Sequence, residues 1–167
     1  GFDSKEQYNA MRLLDHAVGE YISSAKTAPY FNNTIFLFFG DHGTSDPRAL
    51  HMPNSDYDLK LRSYQVPFFI YGPEHIKGGI VRNDVSQLVD LIPTVIGLAG
   101  KPYENRTMGR DLLNGEIPID PLALIINKKM AKPHIAVIGQ NYYLSLANRR
   151  GGPRVKLHEL WSDKPLV

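Results

Sequence analysis

The chain predicts an α/β fold that gives way to a small antiparallel sheet, on three observations. A helical pattern leads into a strongly apolar run at 34–39, and a second run follows at 66–71. A second helical pattern occupies 84–98. Past residue 115 the composition turns to short β-like segments separated by turn residues. Strands alternating with helices argue for a layered α/β sheet, and closely spaced short strands for a meander.

Each element has a local reason. Ser4 can cap a helix over 4–27, in which Met11, Leu14, Val18 and Ile22 recur at helical spacing before Pro29 ends it. Thr34–Phe39 is so apolar that it reads as a strand buried on both faces, as in a parallel sheet. Residues 43–64 are polar and aperiodic and read as a long loop, a common place for function. Val66–Tyr71 is the next strand, stopped by Gly72-Pro73. Asn83 can cap a helix over 84–98, with Val85, Leu88, Val89, Ile92, Val95 and Ile96 as its buried stripe. Pro93 predicts a kink or a helix in two parts, and Gly97 and Gly100 its end. Leu122–Ile126, Ile135–Ile138, Tyr142–Leu146 and Val155–Leu160 read as strands. The expected division is therefore 1–115 for the α/β part and 116–167 for a β-rich subdomain.

Composition narrows the function. With 43% hydrophobic and 22% charged residues, the chain is an ordinary globular sequence, and 167 residues suffice for a core. A net charge of +2, without a basic run, gives no footprint for nucleic acid. There is no cysteine, which removes disulfides, thiol catalysis and zinc–thiolate sites from this chain. No stretch approaches the ~18 apolar residues of a membrane span. The helical pattern starts almost at Gly1, with no initiator Met, so the chain reads as a piece of a longer protein.

The chemistry concentrates at Gly40-Asp41-His42-Gly43, directly after the first apolar strand. Open α/β sheets bind ligands beyond the carboxyl ends of their strands. A carboxylate beside an imidazole offers two ligands to a divalent metal, and the flanking glycines let the backbone turn both toward one ion. The bland alternative is an Asp that caps the next turn beside a packed His. Further ligands must come from elsewhere, since zinc takes about four and magnesium or calcium six or more. His51, nine residues on, is a third ligand, a substrate contact or a surface histidine. Arg48 and Lys60 in the same loop can hold an anionic ester or stay solvated. His16 lies on the first helix and reads as structural. No nucleophile stands out: there is no Gly-x-Ser-x-Gly elbow and no phosphate-binding loop of the P-loop kind.

Several motifs occur in an informative order. They are Asn9–Ile22, Asn33–Gly43 with its Asp-His pair, Val66–Pro73, Ser86–Gly100 and Gly109-Arg110-Asp111-Leu112-Leu113. Together they resemble the C-terminal part of the sulfatase family within the alkaline phosphatase superfamily. The branch most resembled is that of lipoteichoic acid synthase and phosphoglycerol transferases. The resemblance covers about residues 5 to 115 well and the tail loosely. It implies an alkaline phosphatase-like sheet flanked by helices, with Asp41 and His42 as metal ligands and His51 as a weaker substrate contact. It implies a divalent cofactor (Mn, Mg, Ca or Zn) and an anionic phosphate or sulfate ester substrate, such as a lipid head group or glycan. The nucleophile and an acidic ligand lie upstream in that family, before Gly1. The expectation is a C-terminal fragment, inactive alone, of an extracytoplasmic, membrane-anchored enzyme whose missing N-terminal part is its partner. The competing expectation is a non-catalytic domain that binds an anionic glycan or lipid head group.

Overall fold

A computed structural model of the chain describes residues 4–44, 52–114, 120–127, 134–149, 152–160 and 165–166. They group into two compact units, 1–52 with 60–81, and 53–59 with 82–167.

The first unit opens with helix α1, Lys5–Ala25. Ser4 caps it: its hydroxyl accepts the Gln7 N–H at 3.1 Å, satisfying one of the orphan donors at a helix start. The last turns of the helix pack into the unit. Ile22 and Ala25 meet Phe31 and Phe36 in a small aromatic core. Met11 and Leu14, which recur at helical spacing with Val18 and Ile22, are exposed. A tight 3-10 turn at Phe31–Asn33 leads into strand β1, Phe36–Phe39.

Strand β1 pairs antiparallel with β2, Phe68–Tyr71, in a two-stranded sheet. This corrects the expectation of a parallel strand covered on both faces. Phe36 and Tyr71 are paired and pack near Phe31, and Phe38 stacks on Phe69 with ring centroids 4.6 Å apart. Phe39 and Phe69 stay about half exposed. Cross-strand aromatic pairing uses the apolar run that was expected to serve two-sided burial. The stretch read as one loop also holds order. A 3-10 turn at Leu61–Ser63 belongs to the first unit, and a short helix α2, Asn54–Asp58, to the second.

In the second unit the expected helix over 84–98 starts late. A 3-10 turn at Leu88–Asp90 runs into α3, Leu91–Leu98. Asp84 is held by Arg82 at 2.8 Å and by Arg110 at 2.8 Å, and residues 82–87 are not helical. Gln87, not Asn83, precedes the first turn, and its N–H donates to the Asp90 carboxylate at 2.8 Å. The change from 3-10 to α winding falls just before Pro93, which has no N–H to give the Val89 carbonyl.

The buried face of this helix also differs from the expectation. Leu88, Val89, Ile92 and Val95 are exposed, while Asp90, Pro93 and Thr94 are buried. The reason is the Gly109–Asn114 segment. The Asp90 carboxylate accepts the Arg110 N–H at 2.9 Å, and the Thr94 hydroxyl accepts the Leu112 N–H at 3.0 Å. Gly109 and Gly97 permit the approach, since a Cβ at either would overlap the Val89 carbonyl or the Asp111 carboxylate.

The rest of the unit is an antiparallel meander of β3 (Ala123–Asn127), β4 (His134–Ile138), β5 (Tyr142–Arg149), β6 (Gly152–Glu159) and β7 (Pro165–Leu166), in that order. Alternation sets its faces. Ala123, Ile125, Ala136 and Tyr143 are buried. The opposite face carries a row of Leu124, Val137, Leu144 and Leu157, and a second of Ile126, Ile135, Leu146 and Val155.

Candidate functional site

Asp41 and His42 stand at the carboxyl end of β1, as expected. The backbone there is built by exchange with the segment before β2. The Gly40 N–H donates to the Pro67 carbonyl at 3.1 Å, and the Gly43 N–H to the Ser63 carbonyl at 3.0 Å. A Cβ on Gly43 would overlap the Arg62 carbonyl and stand 2.8 Å from that of Gln65. Only glycine lets the two segments close to this distance.

The closure sets two side chains. Asp41 Oδ1 accepts the His42 N–H at 3.0 Å, which leaves Oδ2 directed outward. His42 Nδ1 lies 2.8 Å from the Gly43 carbonyl oxygen. A carbonyl only accepts, so Nδ1 carries a proton, and in the neutral ring Nε2 then holds the lone pair. Oδ2 and Nε2 are 3.9 Å apart, and the side chains are 88% and 78% exposed. Two donors about 2.1 Å from one ion stand roughly 3.0–3.4 Å apart at octahedral or tetrahedral angles. A small rotation brings the pair to that spacing. A carboxylate oxygen with a neutral imidazole nitrogen suits a divalent metal of the manganese, magnesium or zinc kind. Among the described residues, no group of three or more His, Cys, Asp or Glu comes together.

His42 borders an open cleft of about 400 Å³, lined also by Met11, Gly43, Thr44, Arg62, Gln65, Val66 and Pro67. Its lining includes the Arg62 guanidinium, from the 61–63 turn. Sequence reasoning missed Arg62, because the turn that brings it to His42 is set by long-range backbone bonds. Its one local signal is adjacency to Lys60, which takes the left-handed conformation at φ 54° and heads that turn. Lys60 itself does not line the cleft. His51 and Arg48 lie outside the described residues. His16 is exposed on α1. His75 Nε2 meets the Asn32 carbonyl at 3.1 Å, a tie between the two loops beside the small sheet. His158 is half-buried, with its ring centroid 6.4 Å from that of Tyr143.

The sulfatase family model matches residues 4–101, which include α1, both strands of the small sheet and the Asp-His pair. An arylsulfatase of Clostridium perfringens is 33% identical over 99 residues, covering 55% of this chain and 19% of that protein. Arylsulfatase K of Danio rerio is 31% identical over 134 residues, covering 80% of this chain and 24% of that protein. Lipoteichoic acid synthase of Staphylococcus aureus is 32% identical over 114 residues, covering 62% of this chain and 17% of that protein. No solved structure matches at a significant level. The chain thus spans no more than about a quarter of the length of these relatives. With more than half of its residues inside one family model, the chain belongs to the sulfatase family.

Proposed function

We propose that Asp41 and His42 are two ligands of a divalent metal in an enzyme that cleaves or transfers phosphate or sulfate esters. The observation that carries this is the preset pair: one atom of each side chain is committed to the backbone and the other faces solvent. When bound, such a metal polarises the ester oxygen and stabilises charge that develops in the transition state. His42 holds its Nδ1 proton on the Gly43 carbonyl and offers Nε2. Asp41 offers Oδ2 and a negative charge that attracts a divalent cation. Arg62 lines the same cleft, where a guanidinium suits an anionic ester. His51 remains a proposed substrate contact.

Residues 1–115 are, on this reading, the C-terminal part of the catalytic α/β domain, and 116–167 a β-rich subdomain. The nucleophile and the remaining metal ligands come from the rest of the same protein, so the chain alone is inactive. The relatives include a putative extracellular sulfatase homologue of Caenorhabditis elegans, which supports an extracytoplasmic enzyme, and membrane anchoring is part of the same proposal.

The test is Asp41→Asn in the intact protein that carries this chain. Initial rates are followed with Mn²⁺ on p-nitrophenyl sulfate and p-nitrophenyl phosphate. The expected loss in kcat/KM is about 10³-fold, the scale of several kcal/mol of transition-state stabilisation, with circular dichroism unchanged. Full activity in the folded variant would overturn the assignment. Which ester is cleaved separates a sulfatase from a phosphotransferase.

A further inference from the structure

We propose that Gly43 is the positioning residue of this site. Its carbonyl, fixed by the 61–65 turn, keeps His42 in the Nδ1–H tautomer with Nε2 open to a divalent cation. The inference rests on the metal reading for its purpose, but its geometry stands on separate observations.

The His42 side chain is 78% exposed, so packing does not hold the ring. Its orientation comes from the 2.8 Å hydrogen bond to the Gly43 carbonyl. A ring hydrogen bond of this kind decides which nitrogen stays free for a ligand. The chain is held on both sides of that carbonyl, since the Ser63 hydroxyl donates to the Thr44 carbonyl at 3.5 Å. The Gly43 N–H is committed to the Ser63 carbonyl at 3.0 Å, on the same strap of chain that crowds its Cα. The contacts that exclude a Cβ are backbone carbonyls, of Arg62 and Gln65, and not the flexible ends of side chains. Any side chain at 43 must therefore shift the 42–44 backbone or the 61–65 turn. Either shift takes the acceptor off Nδ1. Asp41 is set independently, through its own Oδ1 and the His42 N–H, so a change at Gly43 acts on the imidazole first.

The experiment reads the tautomer directly. In the metal-free 167-residue chain at pH 8, long-range ¹H–¹⁵N correlation separates the two ring nitrogens of His42, assigned against His42→Asn. The expected result is a protonated Nδ1 and an unprotonated Nε2. A wild-type His42 in the Nε2–H form overturns the proposal, and this measurement needs no variant to fold. In a folded Gly43→Ala variant the Nδ1–H signature is expected to disappear. Affinity for Mn²⁺ alone, read by electron paramagnetic resonance in the intact protein, is expected to fall about 10- to 100-fold. An unchanged tautomer and unchanged Mn²⁺ affinity in that variant also overturn the proposal. If the variant loses the tautomer while neither protein binds Mn²⁺, the positioning role is supported and the metal reading fails. The two failures are thus distinguishable.

Discussion

Thr94 is fully buried, and its hydroxyl is used in both directions. It donates to the Asp90 carbonyl at 2.7 Å and accepts the Leu112 N–H at 3.0 Å. A hydroxyl can do both, and a methyl can do neither. Thr94→Val keeps the shape and strands a buried N–H, a change expected to cost about 1–3 kcal/mol. Thr94→Ser keeps the hydroxyl and should retain most of the stability. Urea unfolding of the two variants checks this: equal midpoints would show that the hydrogen bond to Leu112 contributes nothing. Asp90 does similar work with charge, one carboxylate oxygen to Gln87 and the other to Arg110. Sequence reading placed neither residue in the core, because it ranks positions by hydrophobicity. At this helix the interior is made by hydrogen bonding to a returning segment. The Asp-His pair was legible for the opposite reason: its signal, an apolar strand ending between two glycines, is entirely local. The clamp that presets the pair spans about twenty residues of sequence and leaves no local mark except Gly43 itself.

At the level of elements, the connection into α3 depends on one carboxylate. Asp84 receives Arg82 and Arg110 and is 14% exposed. The hydrogen bond from Arg82 holds its carboxyl below the ordinary carboxylate value of 3.8, with Arg110 adding to the effect. A group whose pKa is lower folded than unfolded contributes stability that is fully present above the unfolded value. That stability is lost as pH falls through the folded one. The contribution of Asp84 is therefore intact at pH 5 and above, and fades below about 3.8. Asp84→Asn is expected to cost about 1.5–3 kcal/mol at pH 7, the scale of hydrogen bonds to charged groups. Denaturant curves at pH 7 and pH 3 test this: the gap from wild type should narrow at pH 3, and a gap independent of pH would exclude the ion pairs as its cause. The elements themselves were legible where periodicity is strong. Ser4 capping and the four longer strands of the meander follow the pattern within a few residues. The late start of α3 was not, because the Arg82–Asp84–Arg110 cluster joins residues 28 positions apart.

For the whole molecule, the feature with the largest consequence is the apolar side of the meander. Leu124, Ile126, Ile135, Leu144, Leu146 and Val155 each keep 40% or more of their surface exposed, on one face across four strands. Isolated exposed leucines are ordinary, but contiguous apolar surface beyond a few hundred Å² promotes association. Covering such side chains is favourable by about 25 cal/mol per Å², enough for a patch of this extent to drive self-association at moderate concentration. The chain as a 167-residue species is therefore expected to sediment with a weight-average mass that rises with concentration. Raising sulfate concentration should strengthen the effect, because excluded salts favour burial. Ile126→Lys combined with Leu146→Lys places two charges on this face, on β3 and β5 at either side of Ile135 in β4, and leaves the buried face of Ala123, Ile125, Ala136 and Tyr143 intact. That double variant should stay monomeric under conditions where the parent associates. A parent chain that is monomeric at ~100 µM, or a double variant that associates equally, would show that this face does not drive association. In the intact protein the same two substitutions report on whether the face is free. A large loss of stability there, with no change in association, would mean that the rest of the protein covers it.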